Sequence, residues 1–170
     1  MSIVNCGVKA LELGAGVDNR EAPVDGVGGV AVSDLTSRRP TSLATAEQWW
    51  RPLYLCYRMR QSELADLLPS LRAVYVGLSA GSMVMTPSIG KEFVGWTPPT
   101  GGDETLGLVD FSIFPHLDHP DLPENSMTDA ERWAVGMSMP AYAIDDQTAI
   151  KVVDGAVDVV SEGHWKLFTP

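Results

Sequence analysis

Between residues 62 and 85, the hydrophobic positions change from helical spacing to a continuous strand-like run. Leucines recur at 64, 67, 68 and 71 behind Ser62, a predicted N-cap, which is typical of a helix with one apolar face. Residues 73–78 are apolar with β-branched and aromatic members, and a small-residue turn separates them from the apolar residues 83–85. The pattern predicts a helix with one apolar face, a buried strand, a sharp turn and a buried helix.

Beyond residue 85, the pattern predicts a loop, a strand, a helix and a closing set of strands. Residues 86–107 are rich in proline and glycine, a composition that suits a loop over a site. A strand over 108–114 leads to a polar loop, and a helix begins near Ser126 or Thr128. The last predicted strands are 141–144, 149–153 and 156–160, the latter two joined at a turn of Asp154 and Gly155, with 164–168 as a possible addition.

Residues 1–51 and residues 52–170 differ in character. Only the second part alternates periodic apolar segments with recognisable turns. In the first part, residues 24–32 have strand-like composition that glycines interrupt. We therefore interpret 1–51 as an atypical, poorly ordered N-terminal segment and 52–170 as the folded α/β domain.

Composition narrows the class of protein. A length of 170 residues with 45% hydrophobic content suits a single core. The net charge of -10 argues against a nucleic-acid surface. Cys6 and Cys56 lack metal-ligand spacing and are predicted to be reduced thiols. The chain has no basic segment leading into an apolar run and no apolar stretch of about 18 residues, so we expect no membrane association and a cytoplasmic location.

The segment Gly-Leu-Ser-Ala-Gly at 77–81 has the spacing of a nucleophile elbow. A serine hydroxyl needs exposure, an adjacent base and N–H donors for the oxyanion before it can act as a nucleophile. The elbow would expose Ser79 and direct the amide of Ala80 at the oxyanion. The alternative is that Gly77 and Gly81 only permit a tight connection, with Ser79 as an N-cap.

The base should be a histidine, and the chain has three: His116, His119 and His164. His116 directly follows a predicted strand, and sites of open α/β sheets gather at the carboxyl ends of strands. His119 shares the same loop and is the alternative. His164 lies in the last predicted hairpin and is interpreted as structural.

The acid that orients the histidine is ambiguous, because acidic residues are plentiful. Glu92 lies in the loop between the serine and His116, whereas Asp145 and Asp146 lie just beyond a predicted strand. The remaining candidates are Asp103, Glu104 and Asp110.

Three segments together resemble one family: Tyr-Val-Gly-Leu-Ser-Ala-Gly-Ser at 75–82, Phe-Pro-His at 114–116 and Ala-Ile-Asp-Asp-Gln-Thr-Ala at 143–149. In this order they are similar to peptidase E, a dipeptidase acting on peptides with an N-terminal aspartate, and more distantly to cyanophycinase. The likeness covers about residues 52–170. It implies an α/β fold with a mostly parallel, doubly wound sheet flanked by helices, like that of class I glutamine amidotransferases and flavodoxin.

The resemblance also implies roles for individual residues. Ser79 matches the family nucleophile and His116 its base. The third member of the family's triad is matched best by Glu92, with Asp145 or Asp146 in reserve. No metal or organic cofactor is implied, the substrate is a small peptide, and a homo-oligomer is possible.

One position departs from the family. Relatives carry a Gly-Gly-Asn or Gly-Gly-Asp turn just before the Leu-Tyr-Leu segment, where this chain reads Trp-Trp-Arg-Pro at 49–52. A one-base shift of Gly-Gly-Asp codons can read as Trp-Arg. We hypothesise that residues before about Pro52 come from a frameshifted or rearranged reading frame, which the gene's nucleotide sequence would test. The departure leaves a second interpretation open, a weak or inactive amidotransferase-like module that binds a small ligand or partner. An amidotransferase itself would ordinarily use cysteine at the position of Ser79.

Overall fold

The structure, a computed structural model, describes residues 2–6, 42–44, 51–70 and 74–170, with side chains for 51–70 and 74–170. Eight strands are described: β1 Ser2–Cys6, β2 Ser42–Ala44, β3 Val74–Leu78, β4 Ser112–Phe114, β5 Ala141–Ile144, β6 Thr148–Val153, β7 Ala156–Ser161 and β8 Trp165–Phe168. Four α-helices accompany them: α1 Pro52–Gln61, α2 Leu64–Leu67, α3 Ala80–Met83 and α4 Met127–Val135. Short 3-10 helices lie at Leu68–Ser70 and Lys91–Phe93. The possible strand at 24–32 lies outside the described residues.

The described strands form two mixed sheets. The larger has the order β2-β3-β1-β6-β7, and the smaller has the order β4-β5-β8. Strands β1 and β2 are parallel to β3, and β4 is parallel to β5. The pairs β1–β6, β5–β8 and β6–β7 are antiparallel.

The α/β class agrees with the sequence-based prediction, but a mostly parallel, doubly wound sheet is not confirmed. Half of the pairings among the described strands are antiparallel. The physical reason lies in the connections, since the tight turn at Asp154 and Gly155 can join only antiparallel strands. Parallel neighbours need a crossover, as between β4 and β5, where α4 intervenes.

Helix α4 begins where the sequence predicts. Ser126 is its N-cap and accepts a hydrogen bond from the Asp129 amide. Its buried face centres on Trp133, which packs with Phe93 and Phe114 and donates its indole N–H to the Ile89 carbonyl at 2.8 Å. This cluster fixes the loop before β4 against the strand that leads to His116.

The helices between residues 52 and 70 differ from the prediction in two ways. Pro52–Gln61 forms α1, a helix absent from the sequence-based prediction, although proline at the first turn is a common start signal. The helix expected behind Ser62 is only the single turn of α2 followed by a 3-10 turn, and it begins after Glu63. Pro69 explains the early end, because proline inside a helix removes a backbone donor.

Within the described residues, no helix is long and apolar enough to cross a bilayer.

Candidate active site

Ser79 sits at a strained turn between β3 and the buried helix α3. Its φ of 50° and ψ of -120° lie in a region that residues with a Cβ rarely adopt. Two hydrogen bonds hold the turn: the Tyr75 hydroxyl donates to the Gly81 carbonyl at 2.9 Å, and the Ser82 hydroxyl donates to the Gly77 carbonyl at 2.8 Å. Burial raises the pKa of Tyr75, so its hydroxyl remains a donor at physiological pH. The predicted strand–turn–helix geometry is present.

Gly77 is required because strand and helix approach closely at the turn. A Cβ at this position would lie 2.5 Å from the Gly81 carbonyl oxygen and 2.9 Å from the Ser82 amide nitrogen. Both obstacles are backbone atoms, which cannot rotate away as a side chain could. The glycine therefore sets the distance between β3 and α3.

Replacing Gly77 by alanine should lower the free energy of unfolding by about 1–3 kcal/mol, because the added methyl forces the elbow apart. Gly136→Ala is the matched control, since its Cβ would meet only the Trp133 carbonyl at 3.4 Å. Its φ of -80° also suits alanine. Urea unfolding of both variants checks the prediction. Equal stabilities would contradict a tight approach at Gly77.

His116 joins Ser79 to Asp146 through its two ring nitrogens. His116 Nε2 lies 2.9 Å from Ser79 Oγ, and His116 Nδ1 lies 2.6 Å from Asp146 Oδ1. An ionised carboxylate can only accept, so Nδ1 carries the proton and Nε2 accepts the Ser79 hydroxyl proton. The His116 side chain is 10% exposed and that of Asp146 is 21% exposed. Ser79 is itself partly exposed, so solvent can reach the serine.

The loop that carries His116 is fixed on both sides. The Leu117 amide donates to the Ile144 carbonyl at 2.9 Å, tying the loop to the end of β5. The buried Asn125 side chain donates to the Pro115 carbonyl at 2.9 Å. His116 itself has a φ of 56°, a second left-handed residue at the site. These contacts place the imidazole between the elbow at Ser79 and the turn after β5, which are far apart in sequence.

Adjacent carboxylates at the end of β5 have different surroundings. Asp145 Oδ1 accepts from the Gln147 amide at 3.0 Å and the Thr148 hydroxyl at 2.6 Å, and Oδ2 accepts from the His164 amide. Asp145 thus closes the β5–β6 turn, whereas Asp146 faces His116. The two adjacent side chains therefore serve different parts of the structure, one the backbone of the turn and the other the imidazole.

Glu92, the acid predicted from the sequence, is not the carboxylate that the structure places at His116 Nδ1. Glu92 is exposed on the 3-10 helix Lys91–Phe93. Both ring nitrogens of His116 face other side chains, so Glu92 has no ring nitrogen to orient. The structure brings Asp146 to His116 instead. Sequence spacing could not choose between Asp145 and Asp146, because both follow the same strand.

The other candidate residues lie in different settings. His119 approaches Asp146, with Nε2 3.6 Å from Oδ2. His164 is exposed beside the Asp145 turn.

Ala80 is buried as the first residue of α3, where backbone amides have no acceptor within the helix. Asp103 accepts from the Ser88 hydroxyl at 2.7 Å, and Glu104 and Asp110 are exposed. Within the part of the chain that the structure describes, no three His, Cys, Asp or Glu residues cluster as metal ligands.

The fold and this arrangement define a class: α/β proteins with a serine at a strand-to-helix elbow and a histidine beside it. A family model for peptidase family S51 matches residues 53–160, so the chain belongs to peptidase family S51, a family of serine peptidases. The resemblance to peptidase E seen in the sequence is thereby confirmed.

A solved structure is similar to the chain. It is a crystal structure of a candidate peptidase E protein from Listeria monocytogenes EGD-e, with 21% sequence identity and a TM-score of 0.50. The match covers 66% of this chain and 56% of that protein, so the chain spans about half of its length. At this identity the likeness shows the fold alone. No curated protein matches the chain.

Proposed function

We propose that the chain is a serine peptidase acting on small peptides, with Ser79 as nucleophile, His116 as base and Asp146 as the orienting acid. The observation that carries the proposal is the continuous contact from Ser79 Oγ through the imidazole to Asp146 Oδ1. A strained elbow at Ser79 and family membership support it.

In the acylation step, Ser79 Oγ attacks the carbonyl carbon of the scissile peptide bond. Its proton passes to His116 Nε2, and Asp146 stabilises the imidazolium that forms. The tetrahedral oxyanion is held by the Ala80 amide at the start of α3. His116 then gives the proton to the leaving nitrogen as the carbon–nitrogen bond breaks, which leaves an acyl-enzyme.

Deacylation repeats the sequence with water. Water attacks the acyl carbon and gives a proton to His116 Nε2, and the ester bond to Ser79 breaks. The proton returns to Ser79 Oγ and the carboxylic acid product departs. No step requires a metal or an organic cofactor.

For the substrate we propose dipeptides with an N-terminal aspartate, by resemblance to peptidase E. Such a substrate needs a cation for its side-chain carboxylate. Arg60 already donates to the Thr105 carbonyl at 2.8 Å, and Arg132 pairs with Asp129. Arg58 and Lys91 are exposed and are the better candidates among these four.

The proposal is tested by incubating the wild-type protein with a fluorophosphonate probe and locating the adduct by mass spectrometry. We expect one adduct, on the peptide that contains Ser79. A screen of Asp-containing dipeptides, with Leu-containing dipeptides as the matched control, then tests the substrate. A folded protein that remains unlabelled would instead favour an inactive module that binds a small ligand.

A further inference from the structure

A second histidine lies against the carboxylate of Asp146. His119 Nε2 is 3.6 Å from Asp146 Oδ2, while His116 Nδ1 is 2.6 Å from Oδ1. Each carboxylate oxygen therefore faces a different imidazole. The two rings are 6.1 Å apart between centroids and nearly perpendicular, so they reach the carboxylate from different directions.

A backbone contact determines the tautomer of His119. The Asp121 amide donates to His119 Nδ1 at 3.1 Å, so Nδ1 must present a lone pair. A neutral imidazole carries its one proton on the other nitrogen, which places an N–H on Nε2, the nitrogen 3.6 Å from Asp146 Oδ2. At 3.6 Å the contact is longer than a hydrogen bond and acts electrostatically.

The loop holds His119 in this position. The His119 amide donates to the His116 carbonyl at 3.2 Å, and the His119 carbonyl accepts from the Leu122 amide at 3.0 Å. The two histidines thus belong to one turn, and the spacing between their rings follows from that turn. His119 is 28% exposed, so its placement depends on these bonds and not on deep burial.

We infer that His119 is a positioning residue that fixes the plane of the Asp146 carboxylate for His116, an inference that rests on the proposed function. Rotation of the Asp146 carboxylate about its Cβ–Cγ bond would misalign the hydrogen bond that it accepts from His116 Nδ1. The N–H of His119 at the other oxygen opposes this rotation. Removing an outer contact that orients a metal ligand commonly costs about tenfold or more in activity, and we expect a loss of about tenfold for this carboxylate.

Two substitutions separate this role from a structural one. His119→Gln keeps an N–H donor near the position of Nε2, whereas His119→Asn keeps an acceptor near Nδ1 for the Asp121 amide but loses the donor. We expect His119→Ala and His119→Asn to lower the maximal rate of fluorophosphonate labelling by about tenfold, with the probe's half-saturation concentration unchanged. His119→Gln should label close to the wild-type rate.

The same variants are compared by proton NMR, which does not depend on labelling. The low-field resonance of His116 Nδ1–H, assigned by its loss in Asp146→Asn, should weaken in His119→Ala and His119→Asn and persist in His119→Gln. An unchanged resonance and unchanged labelling in His119→Ala would overturn the inference, as would rescue by Asn but not Gln. Absence of wild-type labelling at Ser79 would instead contradict the proposed function, and the NMR comparison would still decide the role of His119.

Discussion

Replacing Ser79 by alanine is expected to abolish fluorophosphonate labelling and to lower kcat for peptide hydrolysis by at least about 10⁴-fold. The reason is that the Ser79 hydroxyl is the group at the elbow within 2.9 Å of His116 Nε2. Alanine is smaller and removes only that oxygen, so the backbone of the elbow has no steric reason to change. His116→Ala should reduce labelling to a similar extent, because the hydroxyl then lacks its base.

Ser70→Ala is the control for loss of a serine hydroxyl. Ser70 is exposed and its hydroxyl donates to the Leu67 carbonyl within its own turn. This variant should label like the wild type. Circular dichroism and thermal unfolding establish that each variant is folded before labelling is compared. Substantial labelling of folded Ser79→Ala would remove this serine from the mechanism.

Asp146→Asn is expected to lower kcat by about 10³- to 10⁴-fold with little change in folding. Asparagine preserves the shape of the side chain but offers an N–H or a weaker acceptor to His116 Nδ1. The imidazole then takes the wrong tautomer for accepting the Ser79 proton, and its charged form loses the carboxylate 2.6 Å away. Steady-state hydrolysis of an Asp-containing dipeptide, or the labelling rate, measures the effect.

Two neighbouring carboxylates are matched controls for this change. Asp145→Asn should mainly lower the thermal stability, since Asp145 accepts from the Thr148 hydroxyl and the His164 amide. Glu92→Gln should alter neither property, because Glu92 is exposed. A large loss of activity in Glu92→Gln with a normal Asp146→Asn would reverse the assignment of the acid.

Local sequence signals predicted Ser79 and His116 as candidates because each depends on short-range structure. The elbow needs only a strand, two glycines and a helix start within a few residues. His116 needs only the end of a strand and a loop. Each signal lies within a few consecutive residues of the sequence. The structure brings the two side chains together.

The acid could not be predicted in the same way. Asp145 and Asp146 share one strand end, and the choice between them depends on contacts with His164 and His116, which are distant in sequence. Strand pairing could not be predicted from local sequence either. The periodicity of residues 141–168 predicted the strands, but whether β6 would lie beside β1 or β5 depends on tertiary packing.

The Asp145 turn makes the candidate site depend on a late part of the chain. Ser79 and His116 are 37 residues apart, Asp146 follows 30 residues later, and its neighbour Asp145 is held by the amide of His164. A nascent chain that has emerged only as far as His116 lacks the Asp146 carboxylate that contacts the imidazole. On the proposed triad, we therefore expect a nascent chain to react with a fluorophosphonate probe only after residues through His164 have emerged from the ribosome.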